Sequence, residues 1–198
     1  MRLKFSPPSF ERVSEMANFY NDSHGESWGV MMQEKKVSCG LACAAMAEVY
    51  MKSQVQANME ATFREISQKF PGNFKEDQGA SLDNIVDVLR SRGINCYDNH
   101  DYGAGGVWSY LYAYAKETSP AIVYISWGKG NGAHAALCVY VYKSDQKCIF
   151  LDPAYGLVEF AGSQLPAYTA TDNTGIYGGA VIARGTLTGP MIITRPRS

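Results

Sequence analysis

Four side chains in this sequence have the types and the order that acyl chemistry on a thiol requires: Gln33, Cys39, His134 and Asp152. A thiol attacks an acyl carbon as thiolate, and a cysteine that opens a helix has its proton loosened by unpaired N–H groups and the helix dipole. Cys39 stands at such a place, in Cys39-Gly40-Leu41-Ala42-Cys43-Ala44-Ala45-Met46. A histidine beside it can take the thiol proton and return it to the leaving group, while a carboxylate holds the imidazole in the working tautomer. His134, in Gly132-Ala133-His134, and Asp152, in Leu151-Asp152-Pro153, are the candidates for these roles. Gln33, upstream of the cysteine, could offer a side-chain N–H to a developing oxyanion together with the backbone N–H of Cys39.

Each residue also has a plainer reading. Free cysteines are usually core residues, and Cys43, Cys96, Cys138 and Cys148 are read that way. Cys43, one helical turn beyond Cys39, is the alternative nucleophile. Asp152 before Pro153 could serve only to start a turn. It is the four roles in working order that favour chemistry over packing. His24 and His100 lie among polar, turn-forming neighbours and are expected to be exposed. Cys39 and Cys43 with His134 lack a second close ligand pair, so neither a metal nor a cofactor is expected. The Gly103-Ala104-Gly105-Gly106 cluster lacks the Gly-Lys-Ser/Thr end of a phosphate loop.

The elements that must position these groups change character along the chain. Residues 1–30 lack sustained periodicity and are read as an irregular arm. From Cys39, the residues Cys39, Cys43, Met46 and Tyr50 share one face of a buried helix. Further helices are predicted over Met59 to Phe70, from Ser81 to Gly93, and over Val107 to Lys116, where Trp108, Tyr110, Tyr112 and Tyr114 form an aromatic run fit for core and cleft wall. Short strands follow: Ala121 to Ser126, Ala135 to Lys143, Lys147 to Asp152, Leu157 to Phe160, Gly179 to Ala183 and Met191 to Thr194. The pattern predicts one α+β domain over residues 1–198, with a helical lobe at 31–118, a β lobe at 119–198 and the site in the cleft between them. A hairpin turning at Ser144-Asp145-Gln146 would bring His134 and Asp152 to one end of the sheet.

With 46% apolar residues, the chain can bury a sizeable core. A net charge of −1 with scattered lysines and arginines argues against nucleic-acid or membrane-surface binding. No apolar run reaches membrane-spanning length, and the first residues lack the apolar stretch of a signal peptide. Five cysteines, an odd number in a chain too large to need disulfides, point to free thiols in a reducing compartment.

The segment Gln33 to Met46 resembles the start of the C39-like, bacteriocin-processing branch of the papain-like peptidases, and the His134 strand with Asp152-Pro153-Ala154-Tyr155-Gly156 resembles the same group. The His-strand-Phe-x-Asp-Pro element is also similar to the YopT-type effector peptidases. The likeness covers roughly residues 33–160 and implies a papain-like fold, with Cys39 as nucleophile, His134 as general base, Asp152 as orienter and Gln33 as oxyanion donor. Leu41, where relatives often carry proline, and the lead-in Gly128-Lys129-Gly130-Asn131-Gly132 depart from the pattern.

The resemblance implies a cysteine peptidase acting on a protein or peptide, a bacterial effector or toxin module, cytoplasmic or delivered into a target cell without a signal peptide. Transglutaminases, deamidases and acyltransferases use the same order of residues and form the second expectation. A non-catalytic binding module on a peptidase scaffold is the third.

Overall fold

The computed structural model describes residues 17–99, 104–127, 133–171 and 181–195. The chain runs β1 (Ala17–Asn21), β2 (Ser27–Met31), α1 (Cys39–Lys52), α2 (Met59–Ser67), α3 (Leu82–Ser91), β3 (Asn95–Asn99), α4 (Ala104–Tyr114), β4 (Ala121–Ser126), β5 (Ala133–Tyr142), β6 (Lys147–Asp152), β7 (Gly156–Ala161), β8 (Ala167–Thr171) and β9 (Val181–Arg195). The α+β class expected from the sequence is the class observed.

Seven strands form one antiparallel sheet in the order β3-β9-β4-β5-β6-β7, with β8 paired to β9. Strand side chains alternate between faces, so the sheet carries two cores. Ile122, Ala135, Leu137, Ile149 and Leu151 pack with α1, α2 and α3, while Val123, Ile125, Ala136, Phe150 and Tyr168 pack on the other face with Val107 and Leu111 of α4. The sequence groups α4 with the other helices; the fold sets it on the opposite face, because its apolar stripe has to cover the second side of the sheet.

Helix α1 is the central one. Every residue from Gly40 to Glu48 is buried, which suits a run of small and apolar side chains sandwiched between α2, α3 and the sheet. Its one buried acid, Glu48, is paired by Lys52 at 2.7 Å and by Arg92 at 2.8 and 2.9 Å, tying α1 to the end of α3. Ser81 caps α3 by accepting a hydrogen bond from the Asn84 N–H.

Residues 17–31 fall where the sequence reads as an irregular arm, yet they form the β1-β2 hairpin; residues 1–16 lie outside the described part. The hairpin is specified by its turn rather than by periodicity. Asp22 accepts hydrogen bonds from the His24 and Glu26 N–H groups, from Trp28 Nε1 and from the Tyr142 hydroxyl, at 2.8 to 2.9 Å. Burial would raise the Asp22 pKa, but these four donors outweigh it and hold the carboxyl below its usual value.

Strand β9 is a second departure. Two short runs are predicted because Gly185 and Gly189-Pro190 read as breaks. The strand passes through, pairing in turn with β8, β4 and β3, and the β4-β9 register shifts between Val123 and Ile125.

Candidate active site

The nucleophile candidate sits where α1 begins. Cys39 is half-buried, and the other four cysteines are fully buried. Ser38 gives the helix no side-chain cap, since its hydroxyl is engaged in the preceding turn, donating to the Lys35 carbonyl at 2.9 Å and accepting from the Lys35 N–H at 3.2 Å. The helix start therefore keeps its N–H groups for an anion at the sulfur. Cys43 is wholly buried, and burial, followed by the nearby Cys39, Asp152 and Glu60, pushes its thiol well up. It is held as a neutral thiol.

His134 and Asp152 come together through the β5-β6 hairpin. The ladder brings Leu137 opposite Leu151, and from there His134 and Asp152 continue onto the same face of the sheet. His134 Nε2 is 2.8 Å from Asp152 Oδ1, and both residues are buried. A carboxylate only accepts, so Nε2 carries the proton and Nδ1 is the nitrogen available to a thiol. Burial would lower the His134 pKa; the hydrogen bond to Asp152, then that to Cys39, and the charges of both outweigh it and lift the value to about 10. Asp152 and Cys39 thus both favour the protonated imidazole.

Asp152 has two jobs. Its Oδ1 also accepts from the N–H groups of Ala154 at 2.8 Å and Tyr155 at 3.1 Å, which builds the turn that follows, while Oδ2 accepts from the Tyr168 hydroxyl at 2.6 Å. Turn initiation and histidine orientation are carried by one carboxylate. Trp127 stacks on the imidazole, with ring centroids 5.3 Å apart, and Tyr155 meets it edge-on at 5.8 Å. These rings leave the histidine little freedom to turn.

Gln33 lies in the same neighbourhood, and its backbone N–H bonds the Pro153 carbonyl at 2.8 Å, joining the turn before Cys39 to the turn after Asp152. Its side-chain Nε2 donates to the carbonyls of Lys35 and Lys36, at 3.0 and 2.9 Å, while Oε1 is buried without a partner among the described residues. The hydroxyl of Tyr124 is likewise buried and unpartnered, against Gly40. The whole turn is anchored from α2. Glu60, fully buried, accepts from the Glu34 N–H at 2.7 Å and pairs with Arg64, which also reaches Glu34 at 2.6 Å.

His24 is exposed, as expected, and pairs with Asp145 at 3.1 Å; His100 and the glycine-rich lead-in at 128–132 lie outside the described residues. Trp127, Tyr155, Tyr168 and Glu60 are contributors that the sequence does not single out. Tyr155 alone had a signal, next to the Asp-Pro turn. A separate groove of about 890 Å³ opens elsewhere, lined by Tyr97, Tyr110, Tyr114, Tyr140, Tyr142 and Arg195 among others.

No family model and no curated protein matches the sequence. Solved structures do. The peptidase domain of Streptococcus ComA, a bi-functional ABC transporter involved in a quorum-sensing pathway, superposes with a TM-score of 0.56 at 17% identity, over 85% of this chain and 98% of its own. A double glycine motif protease from an AMS/PCAT transporter, solved with its leader peptide, superposes with a TM-score of 0.54 at 18% identity, over 92% of this chain and 94% of its own. The Pseudomonas avirulence protein AvrPphB superposes more loosely, with a TM-score of 0.38 at 11% identity, over 81% of this chain and 90% of its own. Among the described residues no helix is long and apolar enough to cross a membrane. The chain has the papain-like α+β fold of the C39 peptidase domains.

Proposed function

We propose that the protein is a cysteine peptidase that cleaves a peptide bond of a polypeptide substrate through a thioester on Cys39. One observation carries the reading: the least buried thiol, at a helix start without a side-chain cap, meets an imidazole whose other nitrogen is fixed on a buried carboxylate.

In the first half-reaction His134 is the imidazolium, with the proton from Cys39 on Nδ1, and the Cys39 thiolate attacks the substrate carbonyl carbon. The resulting oxyanion is met by the Cys39 backbone N–H and by Gln33, which gives up one of its two carbonyl partners to reach it. As the C–N bond breaks, Nδ1 returns its proton to the leaving amine. Water, deprotonated by Nδ1, then hydrolyses the thioester and regenerates the thiol. Asp152 balances the imidazolium through Nε2 in both halves.

The reading is tested by alkylation with iodoacetamide across pH, each cysteine followed by mass spectrometry, alongside a peptide-library digest. The expected result is rapid labelling of Cys39 below neutral pH and new peptide termini, both lost in Cys39→Ala or His134→Ala and retained in Cys43→Ser. Labelling of Cys39 that rises only with the pH of an ordinary thiol, unchanged in His134→Ala, would overturn it. Ammonia release from glutamine substrates without new termini would move the chemistry to deamidation or acyl transfer.

A further inference from the structure

Asp152 has no exposed surface, and a carboxylate in such a place stays charged only if donors meet both oxygens. Oδ1 is met by His134 and by the two N–H groups of the following turn; Oδ2 is met by the Tyr168 hydroxyl at 2.6 Å, the distance of a charge-assisted bond. Tyr168 comes from β8, which the sequence does not announce and which pairs with β9. Its ring is fully buried and wedged against Phe160 at 5.1 Å, Phe150 at 5.9 Å and Trp127 at 6.1 Å. Trp127 is also the ring stacked on His134, so one aromatic cluster supports both the histidine and the tyrosine.

We propose that Tyr168 is a positioning residue of the active site: its hydroxyl keeps Asp152 charged and aimed, and through Asp152 holds His134 with Nδ1 toward Cys39. The proposal rests on the reading of Cys39, His134 and Asp152 as the catalytic set. Tyr168 acts only through Asp152. The titratable groups around this carboxylate are Cys39 and Cys43 from α1, His134 from β5, Tyr155 from the turn after β6 and Tyr168 itself from β8, with Glu60 of α2 reaching Cys43. Apart from the imidazolium, every one of them is neutral or an acid. Among the described residues the contacts to Asp152 are hydrogen bonds, from His134, two backbone N–H groups and the Tyr168 hydroxyl.

Tyr168→Phe keeps the ring and its packing and removes only the donor. Oδ2 is then an unpaired acceptor in a dry site, and the carboxylate loses the donor that stabilises it. With Oδ2 unmet, Asp152 is a weaker anchor and counter-charge for the imidazolium, and the thiol loses part of its activation. The acid limb of Cys39 alkylation, and of kcat/KM, is expected to move up by about one to two pH units. That shift is about a tenfold or greater loss on the acid limb that narrows as the pH rises, with KM unchanged.

A second readout is independent of peptidase activity. In the full chain carrying Cys39→Ala, the hydrogen-bonded Nε2 proton of His134 is followed by NMR, and its acid transition is expected to shift upward when Tyr168→Phe is added. A limb or a resonance that stays in place in a folded Tyr168→Phe protein overturns the proposal, since a purely structural tyrosine would only scale the profile down. Wild-type protein without an activated Cys39 would sink the peptidase reading instead, and the resonance alone then decides whether Tyr168 governs the Asp152–His134 pair.

Discussion

At the scale of single residues, the site separates thiols and acids by surroundings rather than by type. Cys39 and Cys43 are one helical turn apart, yet one is half-buried at a free helix start and the other is sealed in the core. Gln33 spends both Nε2 hydrogen bonds at rest on carbonyls of its own turn, so it must break one to reach an oxyanion. If it supplies an oxyanion hydrogen bond on substrate binding, Gln33→Ala should lower kcat by about a hundred- to a thousandfold with KM little changed, read from steady-state kinetics on a peptide found in the library digest. An equal loss confined to KM would assign Gln33 to substrate binding. Cys39, His134 and Asp152 stood out in the sequence because thiol chemistry demands particular residue types in a workable order, and the structure brings His134 to 2.8 Å from Asp152. Tyr168 was not, since a tyrosine in an alternating run carries no sign of which carboxylate a later strand pairing will set it against.

Elements convert those residues into a geometry. The β5-β6 hairpin was legible from two apolar runs around a polar turn, and with it the meeting of His134 and Asp152. The β1-β2 hairpin and the unbroken β9 were not, because a buried Asp22 network and a register shift within β9 between Leu187 and Met191 override local pattern. The turn from Gln33 to Ser38 owes its shape to α2, through a Glu60 that burial pushes upward in pKa against the pull of Ser38, the Glu34 N–H and Arg64. Removing that anchor leaves Arg64 half-paired and the Glu34 N–H unmet. Glu60→Ala is expected to cost about 3 kcal/mol in urea denaturation, and to lower kcat further because the turn that carries Cys39 loosens. A Glu60→Ala protein with wild-type stability would show that the turn holds itself.

For the whole molecule, the histidine at the centre of the site is also a stability term. Its folded pKa of about 10 lies above the ordinary value of 6.5, so the protonated form is bound more tightly in the folded state. The contribution is fully present below about pH 6.5 and is lost as pH rises through about 10. Wild type should therefore lose on the order of a few kcal/mol across that window in denaturant melts, and His134→Gln should lose much less. Parallel curves for the two proteins would mean that the pair is not ionised in the folded state. The α+β class and the free-thiol inventory were readable from composition and periodicity, whereas the placement of α4 on the far face was not, because periodicity tells that a helix has an apolar stripe and not which surface it covers.

Chain order adds one more consequence. Cys39 lies on the first helix, whereas His134, Asp152 and Tyr168 all belong to the later strands, and a bond between Gln33 and Pro153 closes the two ends of the site on each other. During synthesis the thiol leaves the ribosome long before its partners, and pairings this distant in sequence form late in folding. On the proposed reading, the nascent chain carries an unarmed cysteine until the strands that bear His134, Asp152 and Tyr168 have joined the sheet.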